Sequence, residues 1–220
     1  MLPLCTKSVL EVMLERLARF RDNIIVATTN DGSQTPITDL CKRLNINCFE
    51  GDVEDVLARY YLSAKHFGAD ATTTIIRCTS DCPCIDAQII IKALELYAKS
   101  DAEYVCACQE SGFARGIDTE IFSFALLEKA YHEATLPFER EHVTPYIKKN
   151  AVCALFHNTR DDSKYRLTLD EADDYKALVA LHEKLGCTTE YSYDTLINIL
   201  NKNPFIYEMN KHVEQKKDTN

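Results

Sequence analysis

The stretch from Ala71 to Lys99 constrains the chain more than any other. An apolar, β-branched segment, Ala71 to Ile76, runs into the tight acidic decapeptide Arg77-Cys-Thr-Ser-Asp81-Cys-Pro-Cys-Ile-Asp86, and an amphipathic segment, Ala87 to Lys99, follows. That order spells strand, turn, helix, and a chain that repeats it must bury strands between helices. Val9 to Phe20 has helical spacing, with Ser8 as N-cap and Glu11 completing a capping box. Asn23 to Thr29 reads as a buried strand that opens into the turn cluster Asn30-Asp-Gly-Ser. Helix Pro36 to Leu44, strand Asn47 to Glu50 and helix Glu54 to Phe67 precede the decapeptide's own unit, and strand Glu103 to Cys108 follows it. Gln109 to Glu120 has no clear period and is expected to be a long irregular connection. Then come helices Phe124 to Ala134 and Arg140 to Lys149, strands Val152 to His157 and Lys164 to Leu169, and a helix from Glu171 to Leu185. The pattern predicts one α/β domain over residues 1–203 with a mostly parallel sheet, and a polar tail over 204–220.

Charge and cysteine content narrow the partners. A net charge of -9 and a pI near 5.2 exclude the clustered basic face of a nucleic-acid groove. No apolar run approaches the roughly 18 residues of a membrane span, and the first residues lack the layout of a signal peptide. The expectation is a cytoplasmic protein with no membrane partner. Its ten cysteines then behave as reduced, metal-free thiols, and no disulfide is expected.

In an open α/β sheet, ligands bind outside the carboxyl ends of the strands. Asp81 and Asp170 each sit at such an end, and two carboxylates there suit one divalent cation, since Mg2+ is usually held by one or two carboxylates and substrate phosphates. The competing reading is that each caps the helix after it. Cys78, Cys82 and Cys84, with Cys106 and Cys108 on a neighbouring strand, allow a zinc site or plain core, and the strand spacing favours core. Phe138-Glu-Arg-Glu-His142-Val-Thr-Pro145-Tyr is either a solvated first helical turn or a hydrogen-bonding fork for a polar small molecule such as a sugar. Neither a dinucleotide-binding glycine motif, a P-loop nor a Gly-x-Ser-x-Gly elbow is present.

Six blocks taken together resemble the cytidylyltransferase family, most closely its spore-coat polysaccharide branch, related to the enzymes that activate sialic acid and Kdo. They are Ala27-Thr-Thr29; Glu50 to Leu57 with Arg59-Tyr-Tyr61; Arg77 to Asp86; Gly116-Ile-Asp118-Thr-Glu120 to Ser123; Arg140-Glu-His142 to Ile147; and Arg166-Leu-Thr168-Leu-Asp170. The resemblance implies a Rossmann-like nucleotide-diphospho-sugar transferase fold of three α/β/α layers. It also implies transfer of CMP from CTP to a sugar or sugar acid, with release of pyrophosphate. On that likeness Asp81 and Asp170 are the catalytic pair that binds Mg2+. Ala27, Thr28, Thr29, Gly51, Asp52 and Asp55 lie beside the nucleotide, and Asp118, Glu120, Arg140 and His142 face the sugar. A homodimer is compatible with it.

The family pattern begins with a strand and a basic loop of the type Gln-Ala-Arg-x-x-Ser-x-Arg-x-Pro-Gly-Lys, and Met1 to Leu10 resembles the segment just after it. The expectation is therefore that the sheet lacks its first strand and the triphosphate its main protein cations. Two functions follow: a cytidylyltransferase of surface-polysaccharide synthesis, or a catalytically silent relative that binds a sugar or a partner protein.

Overall fold

The computed structural model describes residues 1–215. A short antiparallel hairpin, β1 (Pro3–Leu4) and β2 (Lys7–Ser8), leads into α1 (Val9–Arg16). Ser8 caps this helix by accepting the Glu11 amide at 3.2 Å. Only half of the expected capping box forms, because the Glu11 carboxylate turns instead to the Arg43 guanidinium, accepting two bonds of 3.0 Å. The helix also ends sooner than its periodicity predicts, tightening into a 3-10 turn over Ala18–Asn23. Then follow β3 (Ile25–Thr29), α2 (Thr35–Leu44), β4 (Asn47–Gly51), α3 (Val56–His66), β5 (Thr74–Arg77), α4 (Ala87–Lys99) and β6 (Tyr104–Ala107), close to their expected places. The rest comprises β7 (Thr119–Ser123), α5 (Phe124–Glu133), α6 (Pro137–His142), α7 (Pro145–Asn150), β8 (Cys153–Leu155), α8 (Ala172–Lys184), α9 (Tyr193–Lys202) and α10 (Pro204–Asn210).

Strand pairing is mixed rather than mostly parallel. β3 and β4 form a parallel pair, and a separate four-stranded sheet has the order β5-β7-β6-β8. β7 is antiparallel to both β5 and β6, while β6 and β8 run parallel, so β5, β6 and β8 all point the same way. The strand expected over Lys164 to Leu169 does not form. One parallel bridge, Arg115 with Arg166, is made, and the ladder stops there because the next amides in line go elsewhere, Ile117 donating to the Ala114 carbonyl at 3.3 Å and Leu169 to the Asp81 carbonyl at 3.0 Å. Conversely, β7 occupies part of the stretch expected to be irregular.

Successive side chains on a strand face opposite ways, and here both faces are covered by helices. Tyr104, Cys106 and Phe122 pack with Leu57 and Tyr61 of α3 and Leu127 of α5. Val105 and Ile121 pack the other way, on Ala93 of α4, and Ala107 joins a cluster with Leu178 and Leu196 of α8 and α9. The result is the expected three-layer α/β arrangement.

The helix expected over Arg140 to Lys149 is two helices, α6 and α7. Pro145 has no amide to donate and restricts the residue before it, so it starts a new helix rather than continuing one. Between them Val143 takes φ 70° and ψ −54°, a γ-turn closed by the Thr144 amide donating to the His142 carbonyl at 2.8 Å. Residues from 204 on are no simple tail: α10 packs on the core, with Ile206 and Asn210 buried, and residues 216–220 of the expected tail lie outside the described residues. A disulfide joins Cys5 to Cys187, contrary to the sequence expectation. Its partners lie 182 residues apart and carry no local pattern that composition could expose. The other eight cysteines are free. No helix among the described residues is long and apolar enough to cross a membrane.

Candidate active site

β5 delivers the decapeptide to the edge of the sheet where β6 and β8 also end. The turn is closed locally by the Cys82 and Ile85 amides, which donate to the Thr79 and Cys82 carbonyls. It is then pinned from a distance. Thr168 donates its hydroxyl to the Asp81 carboxylate at 2.7 Å, and the Leu169 amide donates to the Asp81 carbonyl at 3.0 Å. Asp170, next along, thus stands beside the Asp81 turn. Neither aspartate caps a helix: α4 is capped by Asp86, which accepts from Gln88, and the α8 N-terminus is closed by Asp174, which accepts the Asp170 and Glu171 amides. The capping reading of Asp81 and Asp170 is therefore set aside.

A third carboxylate comes from the segment before β7. Burial raises the Asp118 carboxyl above its ordinary range, against the pull of the Gly116 amide and Arg115. Its charge reaches the same thiols as the decapeptide's: burial first, then Asp81 and Asp118, push Cys82 well up, and burial takes Cys78 to about 12. Both are protonated thiols, Cys82 buried and Cys78 half-buried. Among the described residues no three His, Cys, Asp or Glu side chains gather as a metal cage.

Gly116 sets how closely Asp118 approaches the 166–170 segment. It adopts φ +96°, and a Cβ there would meet the Leu167 carbonyl carbon at 2.6 Å. Gly116→Ala is expected to destabilise the protein by about 2–3 kcal/mol, from left-handed strain and overpacking against backbone, as read by urea denaturation. An unchanged midpoint would mean that the two segments can separate freely.

The residues expected near the sugar divide. Glu120, 5% exposed, accepts from Thr144 at 2.7 Å and pairs with Lys148 at 3.0 Å; Arg77 and the Tyr104 hydroxyl also donate to it. Burial alone would raise this carboxyl, but Arg77 and Lys148 hold it down at about 2. It is the hub of a buried ion cluster rather than an open contact. Arg140 forks onto Asp55, which also caps α3, and donates to the Tyr131 carbonyl at 2.7 Å. Here the structure brings together a residue expected beside the nucleotide and one expected beside the sugar. His142 packs edge-on to Phe138.

The segments expected beside the nucleotide lie on the smaller sheet. Thr28 is buried, Thr29 donates to Asp31 at 3.1 Å, and Ala27 borders a cavity between the sheets. Asp52 accepts the Glu54 and Asp55 amides, shaping the turn after Gly51. Sequence reasoning did not single out Arg166 as a separate site residue, although it stands in one of the recognised blocks. Its guanidinium holds Asp170 at 2.6 Å and forks onto the fully buried Asp174 at 2.8 and 3.0 Å.

Comparison with known proteins places the fold in a family. A solved cytidylyltransferase structure from Leptospira borgpetersenii superposes with a TM-score of 0.87 at 36% identity, covering 98% of this chain and 90% of that one. The 4-diphosphocytidyl-2C-methyl-D-erythritol synthase of Anaerococcus prevotii shares the fold, with a TM-score of 0.59 at 12% identity over 83% of this chain and 92% of that one. An uncharacterized protein of Methanocaldococcus jannaschii is 34% identical over 223 residues, 98% of this chain and 89% of its own length. The spore coat polysaccharide biosynthesis protein SpsF of Bacillus subtilis is 26% identical over 214 residues, 92% of this chain and 87% of its own. With the sequence pattern of the cytidylyltransferases matching residues 1–217, the chain belongs to the cytidylyltransferase family, in the branch that includes SpsF.

Proposed function

We propose that this protein transfers CMP from CTP to a sugar or sugar acid in the cytoplasm, for surface-polysaccharide synthesis. In that reaction a sugar oxygen attacks the α-phosphorus, the bond to the β-phosphate breaks, pyrophosphate leaves, and the attacking hydroxyl gives up its proton. The observation that carries the reading is the Thr168–Asp81 hydrogen bond, which ties the acidic turn after β5 to the segment leading into Asp170, in a chain of the cytidylyltransferase family.

Asp81 and Asp170, hard oxygen donors on segments joined by the Thr168 and Leu169 hydrogen bonds, suit a cation shared with substrate phosphate, and so fit Mg2+. When bound, Mg2+ supplies charge neutralisation at the phosphates. The Thr168 hydroxyl orients Asp81, and Arg166 orients Asp170, so neither carboxylate has to be organised when substrate arrives. Asp118, whose charge reaches Cys82 of the same turn, is assigned to the sugar in this reading, together with Glu120, Arg140 and His142.

Calorimetric titration of CTP, UTP and ATP with and without Mg2+ tests the reading, together with pyrophosphate release over a panel of sugars. It is run on the 220-residue chain and on the same chain extended at Met1 by the family's strand and basic loop. CTP is expected to bind at least about tenfold tighter than UTP or ATP, a difference of roughly 1.4 kcal/mol, and only with Mg2+. Pyrophosphate release is expected with CTP, Mg2+ and a sugar acceptor. Sugar binding without nucleotide selectivity or pyrophosphate release in either form would instead favour the silent relative.

A further inference from the structure

Cys5 stands at the tip of the β1–β2 hairpin and Cys187 in the loop between α8 and α9, and their disulfide joins positions 182 residues apart. Both residues are exposed. Both also hold a left-handed backbone, φ 55° at Cys5 and 56° at Cys187, which side chains other than asparagine and aspartate seldom adopt. The bond closes a circuit of contacts that ends at the acidic turn. Lys7, two residues after Cys5, reaches the Glu15 carboxylate of α1, and Thr189, two residues after Cys187, donates its hydroxyl to the same oxygen at 3.1 Å. Arg16, next on α1 and buried, donates to the Thr189 and Tyr191 carbonyls at 2.9 and 3.1 Å and to the Ile85 carbonyl of the decapeptide at 2.7 Å. Tyr193 gives its amide to the Asp86 carboxylate at 2.8 Å. The loop that carries Cys187 is therefore part of what holds the turn bearing Asp81.

We propose that Cys5 and Cys187 form a thiol–disulfide switch, addressed by a dithiol reductant, that sets how firmly the turn from Asp81 to Asp86 is held: firm when oxidised, loose when reduced. Two arguments favour a switch over a permanent staple. Exposed disulfides are the labile ones, open to an attacking thiolate. In the cytoplasm assigned above, where thiols are kept reduced, a disulfide serves redox sensing rather than lasting support. The exchange balances. A thiolate of the reductant attacks one sulfur, the S–S bond breaks, and the reductant's second thiolate resolves the mixed disulfide. Two electrons pass to the protein, two protons complete the Cys5 and Cys187 thiols, and the reductant leaves as its own disulfide. With the bond open, both cysteines can leave the left-handed region, and the loop that supplies partners to Glu15 and Arg16 gains freedom. The setting rests on the cytoplasmic reading above; the exchange itself requires no nucleotide chemistry.

The 220-residue chain, purified in air and kept free of nucleotide, tests this. Maleimide labelling of the folded protein is expected to gain both Cys5 and Cys187 after treatment with dithiothreitol. On reduction, hydrogen exchange at residues 81–86 and 187–193 is expected to quicken by a factor at least about tenfold larger than at residues 119–123 of β7, which marks local release rather than a general loss of stability. Oxidised glutathione is expected to restore slow exchange. Cys5→Gly accepts the left-handed turn without the sulfur, so it is expected to exchange fast at both segments with or without dithiothreitol. Thiols already free before reduction, or a bond that dithiothreitol leaves closed in the folded protein, would overturn the proposal. So would equal quickening at β7, or slow exchange in Cys5→Gly. Because no CTP is present, these outcomes decide the switch alone, and failure of the nucleotide reading shows separately in the titrations above.

Discussion

Glu120→Ala is expected to lower stability by about 3–5 kcal/mol, the usual consequence of removing one partner from a buried ion cluster. Arg77 supplies most of that cost. Its side chain is 16% exposed, its Nε already lacks a partner, and the Glu120 carboxylate is its counter-charge. Tyr104, Thr144 and Lys148 would lose their acceptor as well. Acid should act through the same residue. Glu120 ionises at about 2 in the folded protein against 4.5 as its ordinary value, so its contribution is complete above pH ~4.5 and is lost as pH falls towards 2. A shift of that size corresponds to about 3 kcal/mol. Urea denaturation of the wild type and of Glu120→Gln across that window checks it: the wild type should lose its advantage over the variant as pH drops. Parallel pH profiles would remove Glu120 from the account of stability.

Asp81→Asn is expected to cut CTP-dependent pyrophosphate release at least about 100-fold in any form of the chain that turns over, with the melting temperature nearly unchanged. The two readouts separate because Asp81 caps no helix, and an asparagine oxygen can still accept the Thr168 hydroxyl. Asp170→Asn should behave likewise, since Arg166 keeps its fork onto Asp174. Asp174→Ala should do the opposite. Buried among Arg166, Asn210 and two backbone amides, its carboxylate is held below the ordinary range despite burial, and its loss should unfold the protein before it touches chemistry. Equal losses of stability and activity in all three variants would mean that the acidic edge is only structural.

The local pattern disclosed most elements before β6, because strand and helix periods are written in consecutive residues. It failed where the cause lies far along the chain. β7 was hidden because its apolar pair Ile121-Phe122 is flanked by Thr119, Glu120 and Ser123, and nothing near Glu120 in sequence announces Arg77, Tyr104 and Lys148 as its partners. The segment from Lys164 to Leu169 looks like a strand, yet the amides that would extend its ladder, those of Ile117 and Leu169, are taken by the Ala114 and Asp81 carbonyls. Pro145 was visible in the sequence, but the γ-turn at Val143 was not. Asp81 was legible as a strand-end acid, whereas Asp170 follows a strand that does not form; that Thr168 and Arg166 hold them is a property of three dimensions.

Arg16 gives the order in which this protein can be built. Its side chain is 3% exposed, lies 3.7 Å over the Tyr191 ring, and donates to the Ile85, Thr189 and Tyr191 carbonyls. Asp86, at the far end of the same turn, accepts the Tyr193 amide. The decapeptide is thus clamped by the first helix on one side and by residues made more than a hundred positions later on the other. A chain emerging from the ribosome can form α1 and the early strands, but the clamp cannot close until Tyr193 has cleared the exit tunnel. Until then Asp81 sits on a loose loop, and the acidic edge is among the last parts of the molecule to take shape.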